Sequence, residues 1–352
     1  NNDSGADNTV LGFLAGAGLA SGGDDNTLVG DYAGNAISTG DHNIAIGSNA
    51  LLVHTTGNRN IAIGANTMSD TDAHATTLAS NDNIFIGYNS GSGEWASGTE
   101  SYGNTAIGTY TMEGNMSTAL YNVAVGYNAL GDVTSGDNNV AVGTGALNAI
   151  DGDESNNVAV GYDAGGSINN ASGSSNYSVL IGHSAGKGGA ARMDAVVAIG
   201  GLALDSSGAN NQIGTVAIGY SALGALTDGT GNVAIGLSAL GSLTTGASNT
   251  AIGYNSGKHI ATGGYNTFIG FESGTNGESD DAASNTANKN VAVGYRTMGT
   301  AYGASSAHFT AADNVAIGYN SLMNVSTGGN NVAVGSGAGD SITTGEGHVF
   351  LG

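Results

Sequence analysis

Asn232-Val233-Ala234-Ile235-Gly236-Leu237-Ser238-Ala239-Leu240-Gly241-Ser242-Leu243-Thr244-Thr245-Gly246-Ala247-Ser248 runs directly into Asn249-Thr250-Ala251-Ile252-Gly253, where the same pentad begins again. The pentad, Asn-[Val/Thr/Ile]-Ala-[Ile/Val]-Gly with few variants, closes at Gly12, Gly30, Gly47, Gly64, Gly87, Gly108, Gly126, Gly143, Gly161, Gly182, Gly200, Gly219, Gly236, Gly253, Gly270, Gly294, Gly318, Gly335 and Gly352. The commonest spacing is 17 residues, and longer coils run from 18 to 24. Self-similarity at a fixed short period marks a repeat architecture. Each pentad is short, β-branched and bounded by turn residues, so it reads as a strand. No segment sustains a helical period, and a glycine every few residues would penalise one.

With the closing glycine as position 0, position 3 is Ala, Ser or Thr in every following segment, as at Ala129, Ser256 and Thr297. Position 4 is only Gly, Leu or Met, as at Gly165, Leu240 and Met112. In 17-residue coils position 7 is usually apolar (Ile37, Val133, Leu243, Ile260) and position 10 is Gly (Gly40, Gly136, Gly246, Gly263). Seventeen residues supply roughly 56 Å of extended contour at ~3.3 Å each, enough for one flattened or triangular coil. The pattern predicts an all-β parallel solenoid or β-roll of about nineteen coils, continuous over 1–352. Val233 and Ile235 share one face of their strand and Ala234 takes the other. Apolar residues on both faces predict that both are buried. One face would fill the coil, and a neighbouring copy is the simplest cover for the other. The closing glycine allows a corner closed to other residues. Two readings of the opening Asn stay open: a side-chain amide ladder between coils, or a turn former that tolerates left-handed backbone.

Composition narrows the function. There are 28 acidic residues against 6 basic ones, for a formal charge of -22. Such a surface repels nucleic acid and anionic membranes, so neither is an expected partner. No apolar run is long enough to insert in a bilayer, and the polar, acidic start at 1–8 does not resemble a secretory leader. The 63 glycines could suggest disorder, but hydrophobic residues reach 40% and recur in order. There is no Cys and no Pro. A long hydrogen-bonded ladder is therefore the expected staple.

Few motifs point to chemistry. Gly182-His183-Ser184-Ala185-Gly186 matches a nucleophile elbow, but its glycines are positions 0 and 4 of a coil and no helix is expected to follow. The seven histidines form no dense ligand cluster, and no catalytic constellation emerges, so the chain is not expected to be an enzyme. Insertions at 69–80, 93–102, 167–175, 276–289 and 300–313 are the expected loops, and loops commonly carry binding. Trp95, the single tryptophan, lies in one with Glu94, Glu100 and Tyr102. It could stack on a sugar, or fold back as a local plug. Acidic pairs occur at Asp24-Asp25, Asp70 with Asp72, and Asp280-Asp281. Asp151-Gly152-Asp153-Glu154-Ser155 has the alternating oxygen spacing of a calcium loop, against the plainer reading of a solvated acidic turn. No cofactor is required by these residues; calcium is the candidate metal. Aromatic residues follow the closing glycine in half of the coils, among them Tyr88, Tyr127, Tyr254 and Tyr319. They suggest a structural ladder along one corner, or a carbohydrate-binding stripe.

The stretch Asn232–Ser248 resembles the repeats of bacterial and phage tail-fibre-domain proteins, and its Val-Ala-Ile-Gly core resembles the head repeats of trimeric autotransporter adhesins. The likeness covers essentially the whole chain. It implies a left-handed parallel β-roll, a homotrimer, and display outside the cell, on a cell or virion surface. The adhesin heads use a shorter repeat, and no coiled-coil stalk, membrane anchor or self-cleaving chaperone domain is visible here. The leading expectation is a structural or adhesive fibre whose loops touch surface glycans. The alternatives are a self-assembling extracellular filament without a specific ligand and, lower, an ice-binding solenoid suggested by Thr-Thr-Gly at Thr55, Thr244 and Thr343. Ser38, Asp228 and Ala261 interrupt those threonine files. End-to-end association, with Val349 and Leu351 stacked under Thr9 and Leu11 of the next copy, is a further expectation.

Overall fold

The computed structural model describes residues 7–19, 22–71, 80–95, 100–168, 175–189, 192–206, 208, 211–276, 285–300 and 308–352. These residues form an all-β parallel solenoid, with no helix among them. Contacts divide the chain into two compact units, Asn1–Tyr177 and Ser178–Gly352.

The first unit carries β1 (Thr9–Leu11), β2 (Thr27–Val29), β3 (Ile44–Ile46), β4 (Ile61–Ile63), β5 (Ile84–Ile86), β6 (Thr105–Ile107), β7 (Val123–Val125), β8 (Val140–Val142) and β9 (Val158–Val160). Each pairs in parallel with the next, like positions opposite, as in Ile44↔Ile61 and Ala124↔Ala141. The second unit carries β10 (Val179–Ile181), β11 (Val197–Ile199), β12 (Val216–Ile218), β13 (Val233–Ile235), β14 (Thr250–Ile252) and β15 (Thr267–Ile269). Next come β16 (Thr275–Asn276), β17 (Val291–Val293), β18 (Gly299–Thr300), β19 (Val315–Ile317), β20 (Val332–Val334) and β21 (Val349–Leu351). The pentad strands again pair in sequence order, as in Val233↔Thr250 and Ala316↔Ala333. In the two longest coils, β16 and β18 pair with each other as a separate short sheet.

The corner after each strand depends on glycine. At Gly236 φ is +135°, and a Cβ there would run into the carbonyl oxygen of Gly253 in the next coil. Positions 2 and 4 also have positive φ, as at Asn49 and Leu51, or Ser238 and Leu240. This alternation turns backbone groups along the coil axis: Gly34 N–H donates to Ala50 O at 2.8 Å, and Asn49 N–H to Asp31 O at 2.9 Å. Non-glycine residues in this region cost about 1 kcal/mol or more each. Such strain persists only because coil-to-coil hydrogen bonds and packing over-determine it.

The opening Asn forms the amide ladder. Asn249 donates to Asn232 Oδ1 from its backbone N–H (2.9 Å) and from Nδ2 (3.1 Å), and Nδ2 also donates to Gly263 O (2.9 Å). The rung repeats at Asn266, Asn290, Asn314 and Asn331, and in the first unit from Asn43 through Asn157. These side chains are buried. The residue in the left-handed region is the one before the Asn, such as Ser248 or Asn330. Ser178 keeps part of the rung: its hydroxyl donates to Met193 O at 2.9 Å and accepts from Val196 N–H at 3.2 Å.

The burial of the strand faces differs from the sequence expectation. The small central residue faces the interior: Ala124, Ala234 and Ala316 are fully buried. The flanking β-branched residues lie on the surface of the chain. The coil is narrow, and positions 4 and 7 fill it (Leu240 and Leu243, for example), so the strand has room inward only for a methyl group. A volume exchange follows. Where the central residue is large, at Leu28, Phe85, Leu180 and Phe268, position 4 is Gly34, Gly91, Gly186 and Gly274. A Cβ on Gly34 or Gly91 would lie 2.6 Å from Leu28 or Phe85, and one on Gly274 would enter the Phe268 ring. Gly257 and Gly339 follow an alanine strand, and there the ring of the next coil takes the space. A Cβ on them would come within 3.0 Å of Phe268 and 2.8 Å of Phe350.

Candidate functional site

In each unit the outward strand face leaves an apolar column on the surface. Its residues are Val, Ile, Leu or Thr in every pentad, without one charged side chain, in a chain holding 28 acids. Ile46, Ile107, Ile252, Ile269, Ile317 and Val334 are each about 40% exposed, with Ile46 at 39% and Ile317 at 42%. The residue after the closing glycine adds an aromatic column beside them. In the second unit Tyr254, Phe271, Tyr295 and Tyr319 stack in sequence, with centroids 5.1, 5.1 and 5.2 Å apart and planes within 9°. Their faces are occupied by one another, which leaves mainly edges toward solvent. That is the structural-ladder arrangement, and it offers few open faces for a sugar. Arg296 lies over Tyr295 at 5.4 Å and pairs with Glu272 at 2.8 Å.

Trp95 does not present its indole to a ligand. It is 2% exposed, packs against Phe85 at 5.9 Å, and donates from Nε1 to Gly91 O at 3.3 Å. Gly91 lacks a side chain because Phe85 lies against it, and the indole extends the same apolar cluster. In this arrangement the indole folds back over the coil as a local plug. Glu94 is exposed, and its N–H donates to Asn115 Oδ1 at 3.0 Å. Tyr102 instead meets Tyr121 of the next coil edge to face, centroids 5.1 Å apart. The loop residues 96–99 lie outside the described residues.

The acidic motif is also dispersed. Asp151 and Asp153 are exposed, whereas Glu154 is buried and accepts from Gly152 N–H at 2.9 Å. Burial pushes the Glu154 carboxyl up, the backbone N–H groups of Glu154 and Gly152 oppose this, and Asp151 and Asp153 add to it. The Asp151 carbonyl accepts from Thr134 Oγ1 of the preceding coil. Among the described residues no three His, Asp or Glu side chains converge as metal ligands. Asp72, Asp280 and Asp281 lie outside them.

Several acids instead serve the coil. Asp41 Oδ1 accepts from Asp24 N–H at 2.9 Å, and Asp137 Oδ1 from Leu120 N–H at 2.9 Å. Burial raises the Asp137 carboxyl while the Leu120 N–H pulls it down. Sequence reading took Asp24 as part of an acidic pair. The signal it missed was the recurrence of Asp or Asn two residues before the opening Asn, at Asp24, Asp41, Asn58 and Asp137.

Ser184 is position 2 of a coil, buried at φ 52°, and the residues after it continue as turn rather than helix. In the threonine files Thr227 Oγ1 donates to Thr244 O at 3.0 Å, and Thr244 Oγ1 to Ala261 O at 2.9 Å. The second threonine of each motif, as at Thr56, Thr245 and Thr344, is exposed. No helix of the described residues is long and apolar enough to cross a membrane. No protein-family model matches the chain, and no curated protein is significantly similar to it.

Proposed function

We propose that this chain is the shaft of an extracellular fibre, structural or adhesive, displayed on a cell or virion surface and assembled as a homotrimer through its outward strand face. The observation that carries this reading is the charge-free Val/Ile column, half-exposed on an otherwise acidic chain. Extended exposed apolar patches mark interaction sites. A second copy is the favoured occupant because its own column repeats at the same coil spacing and can meet the first rung for rung. The acidic remainder keeps other faces apart and disfavours nucleic acid. This reading assigns the chain no catalytic role and no required cofactor. Calcium at 151–154 and glycan contact through the loops are secondary proposals, and the second does not rest on Trp95.

Light scattering on the purified chain tests the assembly. Ile235→Asp combined with Ile252→Asp should release folded monomers, because both side chains lie on the surface of a single chain. A wild-type chain that is folded and monomeric at high concentration would overturn the reading.

A further inference from the structure

We propose that Tyr102 and Tyr121 form an oxidative cross-linking site, at which one-electron oxidation couples the two phenols into a dityrosine that joins one coil covalently to the next. The site does not depend on the fibre reading. Three features converge on it. The two residues sit on neighbouring coils and are tied by the backbone, Tyr121 N–H donating to Tyr102 O at 3.1 Å. Their rings meet edge to face, centroids 5.1 Å apart at 86°. Beside Tyr121 the Tyr102 hydroxyl is held above its ordinary pKa. The ring carbons ortho to each hydroxyl are the atoms that phenoxyl radicals join, and the ring contact holds the two phenols side by side. Tyr121 is 54% exposed, so a diffusing oxidant reaches it.

The chemistry balances with a peroxide as oxidant, activated by a haem peroxidase. Each phenol loses one electron and one proton, and the peroxide takes both pairs to give two waters. The two radicals form one carbon–carbon bond between ortho positions. The hydrogen on each joined carbon then moves to its oxygen, restoring both phenols. The other tyrosine neighbours are less well placed. Tyr295 and Tyr319 lie parallel at 5.2 Å, so coupling would have to tilt both rings out of their stack. Tyr88 and Tyr127 each lie 5.6 Å from Tyr110. In a chain without cysteine, such a link would supply a covalent staple that disulfides cannot.

The test treats folded protein with a haem peroxidase and limiting hydrogen peroxide, then maps peptides by mass spectrometry. The expected product is a linked peptide pair carrying Tyr102 and Tyr121, two hydrogens lighter than its parts, with dityrosine fluorescence and no rise in chain mass on a denaturing gel. Tyr102→Phe and Tyr121→Phe should each lose this product, and Tyr265→Phe should retain it. Denatured wild-type protein should lose the preference for this pair. Links that join different chains or other tyrosines, with Tyr102 and Tyr121 left unmodified in folded wild-type protein, would overturn the proposal. So would the same product distribution from folded and denatured chains.

Discussion

Replacing Gly274 by Leu tests the volume exchange at the centre of this fold. The backbone is not the obstacle: Gly274 has φ +67°, and leucines occupy the same position elsewhere, as Leu223 at 52° and Leu240 at 49°. The obstacle is the Phe268 ring, which fills the space a side chain at 274 would need. Gly274→Leu alone should therefore cost about 1–3 kcal/mol as an overpacked core. Phe268→Ala alone should cost about 3–5 kcal/mol through lost burial and a cavity. Together the two changes rebuild the Ala-and-Leu coil found at Ala234 and Leu240. A hollow remains beside Gly257, which the ring also covered. At ~24 cal/mol per Å³ a void of roughly 30–60 Å³ leaves about 1 kcal/mol of that cost. The pair should thus be less destabilised than Phe268→Ala alone, with a favourable coupling of about 3 kcal/mol or more. Equilibrium urea unfolding of wild type, both single variants and the double variant measures it. Single effects that add to within about 0.5 kcal/mol would refute the reasoning.

Two further outcomes follow from the same structure. Asn249→Ala should cost about 3–5 kcal/mol, since it strands the Asn266 N–H and the Gly263 carbonyl in the interior at ~1–3 kcal/mol each and removes their rung. Asn249→Ser should cost less, because Ser178 keeps part of a rung with its hydroxyl; thermal melts compare the two. Glu154→Gln should raise the melting temperature near neutral pH. A carboxyl raised by burial binds its proton more tightly in the folded chain. Its stabilising contribution is therefore present below the ordinary Glu range and is lost as pH rises through the raised value. Melting followed across pH in wild type and variant should show that this part of the decline is absent from Glu154→Gln.

The repeat, its strands and its glycine corners were legible because each is a local property: β-branched triplets, a fixed period, and a residue that alone tolerates φ near +135° at Gly236. The direction of each face was not legible. Alternation separates Ala234 from Val233 and Ile235, but both sets are apolar, so the period cannot say which side is inside. The answer lies in the volumes at other positions: Leu240 and Leu243 already fill the coil. The exchange between the strand centre and position 4 was present in the residues as a pairing of Phe85 with Gly91 and Phe268 with Gly274. It required both positions to be read together. Trp95 was ambiguous for a related reason, because its partner Phe85 belongs to the preceding strand and only packing brings them together. The Tyr102–Tyr121 pair needed the alignment of an inserted coil with its neighbour, and no fixed period supplies that across coils of unequal length.

The assembly of the outward face is decided most directly by the mass of the native particle in solution. Multi-angle light scattering of the intact chain should give three times the 34.2 kDa chain mass, stable to dilution and lowered to one chain by Ile235→Asp with Ile252→Asp. A folded particle of 34.2 kDa at every concentration, with the Ile/Val columns left in water, would contradict it.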